Sequence, residues 1–352
     1  MSEDEILFET RGHAGIVTLN RPKALNALSH GMVRALAAQI EAWREDDAVR
    51  LVVLRAAGER AFCAGGDIRR IYDQGQAGDP HKVDFFADEY RLNVAIKRYP
   101  KPWVSLIDGI VMGGGVGISV HGSHRVGTER TVFAMPETGI GFFPDVGGSY
   151  FLPRLRGETG MLAALSAGRM KQADALWTGV LTHAVASADL DGLLDALAES
   201  GSPDEVLAAQ ARTAADLAEG EAPLAERETR IADVFGRDTV AAVLNELDQV
   251  TGADADWAAG LADTIRSKSP TSLEIAFRQV RRGADLDFED CMRMEYRIVS
   301  RILEGKDFYE GVRAVLVDKD NTPHWTPANL ADVREEDVEA HFSAPAGGDL
   351  DV

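Results

Sequence analysis

Met112-Gly-Gly-Gly-Val-Gly117 follows the apolar run Trp103 to Val111, and is itself followed by Phe133-Ala-Met-Pro-Glu-Thr138 and Phe143-Pro-Asp-Val-Gly-Gly148. Three consecutive glycines after an apolar run read as a strand entering a helix through a turn whose backbone N–H groups lie bare. Such a turn can hold an anion. Glu137 and Asp145 stand among Met, Pro, Phe, Ile and Val, where an unpaired carboxylate is costly. Carboxylates in apolar company have perturbed pKa values and are candidates for chemistry.

On the N-terminal side, Ile6 to Thr10 and Ile16 to Asn20 are short strands joined by a turn at Arg11 to Gly15. Ser29 is placed to cap a helix with Met32, Val33, Leu36, Ile40 and Trp43 on one face. Val49 to Leu54 is a buried strand, and strand, helix, strand in that order points to a parallel sheet. A second glycine loop, Ala61-Phe-Cys-Ala-Gly-Gly-Asp67, precedes a helix, and Val83 to Arg98 is another. Both glycine loops follow strands of one pattern, so they are expected to meet at one end of a sheet.

Toward the C-terminus, Gly160 to Ala167 and Gln172 to Trp177 are expected helices, and Thr182 to Val185 a short strand. From Ser187 to about Lys268 every segment reads as helical, with breaks at Gly201, Pro203 and Gly236. Helices over Pro270 to Arg282 and Phe288 to Leu303 precede Asp307-Phe-Tyr-Glu-Gly311. The expected architecture is an α/β core over residues 1–190, an all-helical C-terminal region over 191–342 and a disordered tail over 343–352.

Composition removes several function classes. The chain has 352 residues, a formal net charge of −20 and two cysteines, Cys63 and Cys291. That charge opposes nucleic-acid and acidic-membrane partners, which need clustered Lys and Arg. Two cysteines give neither a disulfide framework nor a zinc spacing. With no apolar run of about 18 residues, no membrane span is expected, and the chain reads as a soluble, cytoplasmic protein. His121 and His124 lack an acidic ligand at metal spacing, so no metal is expected. The dinucleotide fingerprint fails because Ile118 stands at its third glycine, and neither a phosphate-binding P-loop nor a Gly-x-Ser-x-Gly elbow occurs.

What survives is two glycine loops facing carboxylates in apolar surroundings, the arrangement of an oxyanion hole with an acid, base or nucleophile opposite. Backbone donors aimed at a developing oxyanion contribute about 3 to 4 kcal/mol each. The alternative from the residues alone is that the glycines only permit tight packing.

The motifs also carry a resemblance. Asn20-Arg-Pro-Lys-Ala-Leu-Asn-Ala-Leu28, Ala61 to Asp67, Met112 to Gly115 and Pro136-Glu-Thr-Gly-Ile-Gly141 together resemble the crotonase (enoyl-CoA hydratase/isomerase) superfamily. The resemblance implies a core of repeated ββα units and an acyl-CoA ligand whose thioester oxygen sits between the N–H groups of Gly66 and Gly114. It implies that coenzyme A, part of the substrate rather than a cofactor, runs along Lys23, Ala24 and Leu25 and along the loop with Ala64, Asp67 and Ile68. Arg21, Lys23, Arg69 and Arg70 are the basic residues available for its phosphates.

One departure narrows the subfamily. Hydratases of this superfamily use two glutamates, and the first of these positions is Gly117 here while the second is Glu137. The run Phe143 to Arg154, with Thr182-His183 and Asp307-Phe-Tyr-Glu-Gly-Val-Arg-Ala-Val-Leu-Val-Asp-Lys319, resembles the 3-hydroxyisobutyryl-CoA hydrolases of valine breakdown. That resemblance implies a substrate site of Glu89, Gly114, Glu137 and Asp145, with Glu137 and Asp145 catalytic. A single-glutamate isomerase and a silent acyl-CoA binder are the competing readings. Superfamily relatives often assemble as trimers, so a homotrimer or other homo-oligomer is expected.

Overall fold

The computed structural model describes residues 4–352. By contacts along the chain it divides into two compact units. The first comprises residues up to Asp67, Arg91–Ala134 and Arg169–Glu226; the second comprises Ile68–Tyr90, Met135–Gly168 and Arg227–Val352.

Among the described residues the first unit holds ten strands: β1 (Ile6–Arg11), β2 (Ala14–Leu19), β3 (Leu51–Ala56), β4 (Ala61–Cys63), β5 (Trp103–Ile107), β6 (Ile110–Met112), β7 (His124–Gly127), β8 (Val132–Ala134), β9 (Met170–Lys171) and β10 (His183–Ala184). They form a six-stranded sheet of order β1-β2-β3-β5-β7-β10 and a four-stranded sheet of order β4-β6-β8-β9. Each successive pair, β3 and β4, β5 and β6, β7 and β8, gives one strand to each sheet, which is the repeat expected of ββα units. The hairpin β1-β2 is antiparallel, while β2, β3, β5, β7 and β10 run parallel.

The strands read as they do because β2 and β3 are apolar and buried on both faces, the signature of a covered parallel sheet. The helix His30–Arg44 begins where Ser29 Oγ accepts the Met32 N–H, and it buries the five residues expected of it. The core holds Ile16, Leu51, Val53, Val104, Leu106 and Val126 from alternate strand positions, closed by Leu193, Leu194, Leu197 and Leu207. Those leucines come from helices Leu190–Ser200 and Pro203–Gln210. The boundary expected at residue 190 therefore does not mark the edge of this unit.

The second unit is all helical, and its C-terminal helices include Pro270–Gly283 and Phe288–Ile302 as expected. It also takes in 68–90 and 135–168, which the sequence reading had given to the α/β core. Residues 211–227 carry only short 3-10 turns instead of continuous helix. The tail expected to be disordered is irregular but packed: Leu350 is buried, and Arg297 holds both Asp349 oxygens at 2.6 Å.

One expected strand divides. The run Trp103 to Val111 turns at Gly109, with φ 92°, and places β5 and β6 in different sheets. The segment after the triplet is one helical turn, Gly114–Gly117, rather than a full helix. Gly115 lies against β4, where an added Cβ would stand 2.4 Å from the Cys63 carbonyl oxygen. Gly115→Ala is therefore expected to lower unfolding stability by about 2 kcal/mol or more, read as a shift of the urea midpoint at unchanged slope.

Candidate active site

In the first unit the two glycine loops come together. An added Cβ on Gly65 would lie 3.7 Å from the Met112 carbonyl oxygen and 4.0 Å from Gly113 Cα. Around them the neighbouring amides are used. Leu28 N–H donates to Gly65 O, Asp67 N–H to Leu28 O, and the N–H groups of Val116 and Gly117 to Gly113 O. Among the described residues, the N–H groups of Gly66 and Gly114 are not donated to any such backbone acceptor. Gly114 opens a single turn, so the directional donors come from the backbone itself, not from a long helix dipole.

The loop carrying Lys23, Ala24 and Leu25 is pinned to the Ala64–Asp67 loop. Ala64 N–H donates to Leu25 O, and Asn26, fully buried, donates from Nδ2 to Ala57 O and Ala61 O, both at 2.9 Å. Arg21 is spent on this brace: it reaches Ala27 O at 2.7 Å, Asp67 at 3.1 Å and Glu5 at 3.0 Å. Arg21 is thus a structural residue of the loop rather than a free phosphate ligand. Lys23 and Arg70 are exposed, whereas Arg69 pairs with Asp73. Ile68 begins the helix Ile68–Gln76.

The carboxylates lie together in the second unit. Glu137 sits on the 3-10 turn Glu137–Ile140, entered from Pro136 and left through Gly141 at φ 69°. An added Cβ on Gly141 would meet Asp307 O at 2.2 Å, so the turn that carries Glu137 tolerates only glycine there. Glu137 is 5% exposed and its Oε2 has no hydrogen-bond partner. Burial first, and then the Asp145 charge, hold its carboxyl well above the usual range.

Asp145 is equally buried, and burial pushes it up to about 7 against the Tyr90 hydroxyl, which donates to Oδ2 at 2.9 Å. Glu89, on the helix Asp84–Lys97, is raised well above normal by burial and then by Asp145 and Glu295, with Oε1 unpartnered. The structure therefore joins Glu89, Glu137 and Asp145 in one desolvated cluster, and Gly66 and Gly114 in one pair of loops.

The sequence reading missed Tyr90, Gln279, Ser149 and Glu295. Gln279 Nε2 donates to Pro144 O at 2.5 Å, and Glu295 accepts from Gly147 N–H and Ser149 N–H. Burial pushes Glu295 up to about 8. A signal for it was present. Glu295 falls at helical spacing among Cys291, Met292, Ile298, Val299 and Ile302, the buried stripe of its helix, where a carboxylate needs a reason. The two histidines noted earlier serve structure in at least one case: both ring nitrogens of His124 are engaged, by Ser123 at 2.8 Å and Asp204 at 2.9 Å. Cys63 and Cys291 are both free and buried.

Comparison with known proteins places this geometry. Residues 14–342 match the family model described as enoyl-CoA hydratase/isomerase. A protein of Gallus gallus named 3-hydroxyisobutyryl-CoA hydrolase, mitochondrial, is 46% identical, the match covering 99% of this chain and 91% of that protein. Its namesake in Danio rerio is also 46% identical, over 98% of this chain and 91% of that one. Among solved structures, a carnitinyl-CoA dehydratase from Mycobacterium thermoresistibile superimposes with a TM-score of 0.91 at 44% identity, over 98% of each chain. The crotonase-like α/β fold is thus established.

The cluster sets a pH dependence of stability. A buried carboxyl whose folded pKa lies above its unfolded value of about 4 supports the fold fully below that value and loses the contribution as pH rises through the folded one. Asp145 and Glu295 place that loss near pH 7 and pH 8. Wild-type stability is expected to fall between pH 6 and 9, and Asp145→Asn to flatten the decline, in urea titrations across that range.

Proposed function

Because the chain belongs to the enoyl-CoA hydratase/isomerase family, we propose that it hydrolyses a short 3-hydroxyacyl-CoA thioester, 3-hydroxyisobutyryl-CoA, to the free acid and CoA, the step of valine breakdown named in its relatives. The observation that carries this reading is the desolvated pair Glu137 and Asp145, together with glycine in the sequence at position 117, where water addition needs a second glutamate. The near-full-length identity to proteins named as hydrolases supports it. The solved relative with a dehydratase name marks the rival, and Gly117 argues against it.

In the proposed reaction the thioester oxygen accepts the N–H groups of Gly66 and Gly114, which stabilise the charge that develops on it. Glu137 then acts by one of two routes. As nucleophile, its carboxylate adds to the carbonyl carbon, the C–S bond breaks, and CoA leaves as thiolate that takes up a proton. Water then cleaves the anhydride, releasing the acid and restoring Glu137. As general base, it takes a proton from water as the oxygen adds, and that proton passes to the leaving sulfur. In both routes Glu137 must be ionised, and Asp145 orients water or steadies the charge. Glu89 binds the substrate hydroxyl. Lys23, Ala24, Leu25, Ala64, Asp67 and Ile68 line the CoA.

No cofactor enters this scheme. The proposed compartment is the cytoplasm, which suits two free buried cysteines, although the animal relatives are named as mitochondrial. Among the described residues no helix is long and apolar enough to cross a membrane. A homotrimer is the proposed assembly.

Mixing the protein with 3-hydroxyisobutyryl-CoA and a thiol reagent is expected to show CoA release, with crotonyl-CoA absorbance unchanged. Turnover of crotonyl-CoA without thiol release would overturn the assignment. Glu137→Gln is expected to lower kcat by about 100- to 10,000-fold while CoA binding is retained.

Because Glu137 must lose a proton that burial and Asp145 help it keep, the acid limb of kcat/KM is expected above the ordinary carboxylate range. Asp145→Asn removes the like charge and is expected to move that limb to lower pH, measured across pH 4 to 9.

A further inference from the structure

Glu295 has no place in the proposed reaction, yet it is fully buried and three donors converge on it. Gly147 N–H lies 2.8 Å from Oε2, Ser149 N–H lies 2.9 Å from Oε1, and the Ser149 hydroxyl donates to Oε1 as well. These donors belong to a reversal in which Val146 (φ 51°) and Gly147 (φ 84°) are both left-handed. A β-branched residue avoids that region, so the reversal does not hold itself. The residue immediately before it is Asp145. Its carboxyl is fixed by the Tyr90 hydroxyl and the carbonyl of Pro144 by Gln279. The other end of the turn is fixed by Glu295.

We propose that Glu295 is a positioning residue for the active site: its carboxyl group clamps the strained Val146-Gly147 turn and so aims the Asp145 carboxyl. The inference deepens the hydrolysis reading and rests on it, since Asp145 is aimed at a thioester only if that is the substrate. The residue type follows from the donors. Three N–H or O–H groups pointing at one side chain call for an acceptor on both oxygens, and an amide would turn an N–H toward one of them. Other titratable groups surround this carboxyl. Glu89 and Tyr90 face the same space from the helix Asp84–Lys97, Asp145 from the turn, and Cys291 from Glu295's own helix, while Asp145 in turn helps to raise Glu137.

Two readouts test the clamp in the full-length protein. Amide hydrogen exchange needs no substrate. In Glu295→Ala and Glu295→Gln the amides of Gly147 and Ser149 are expected to exchange at least tenfold faster, with little change in the six-stranded sheet.

Turnover is read once wild-type thiol release is in hand; its absence would sink the hydrolysis reading and leave the exchange result to judge the clamp. Both variants are expected to lose tenfold or more in kcat with KM and CoA affinity within about threefold. Unchanged exchange at 147 and 149, or wild-type kcat, overturns the proposal, as does an equal loss of kcat and CoA affinity. If neither variant folds, Ser149→Ala decides. Faster exchange at 147 and 149 with lower kcat supports the clamp, and wild-type behaviour in both overturns it.

Discussion

Burying ionisable carboxyls away from water is the constraint on which the second unit depends. Glu89, Glu137, Asp145 and Glu295 are each at least nine-tenths buried. Their loss of hydration, and for Glu89, Glu137 and Glu295 the neighbouring carboxylate charge as well, favour the protonated forms. An apolar cluster would be more stable in the same volume, so the arrangement persists only because it does something else. The surrounding polar groups are distributed unevenly. Asp145 and Glu295 have donors, whereas one oxygen each of Glu89 and Glu137 has none. Unmatched acceptors of this kind are what a ligand's hydroxyl or a water molecule would satisfy.

The first unit solves a different problem, that of exposing backbone donors without unravelling the loops that present them. Asn26, Arg21 and the bonds between 25–28 and 64–67 tie one glycine loop down. The close fit of Gly115 against Cys63 ties the other. Rigid donors need no reorganisation when charge develops, the property that the proposed reaction asks of these loops.

Much of this was legible in the sequence. The Ser29 cap and the stripe from Met32 to Trp43 were readable because an amphipathic helix writes its buried face at fixed spacing. The burial of Glu137 and Asp145 was readable because carboxylates set in apolar runs violate the usual pattern. The strands β4, β6, β8 and β9 were not, since two or three residues cannot display a period. Nor was the partition of helices. Leu193, Leu194 and Leu197 announce an apolar face but not what covers it, and that surface is a sheet whose strands end near residue 184. Glu295 escaped because its partners lie about 146 residues away, a separation that no local pattern reports.

The interleaving of the two units has a consequence for the chain as it is made. Everything that the first unit contains has been synthesised by Glu226, including both sheets and the loops of Gly66 and Gly114. At that moment 68–90 and 135–168, which carry Glu89, Glu137 and Asp145, still lack the helices of 227–352 that complete their unit. The nascent protein thus gains its donor loops early, and its acidic residues wait in partly built surroundings until the last third emerges. Their burial is a late event in biogenesis, and a chain cut at Glu226 would carry these carboxylates without the helices of 227–352 that complete their unit.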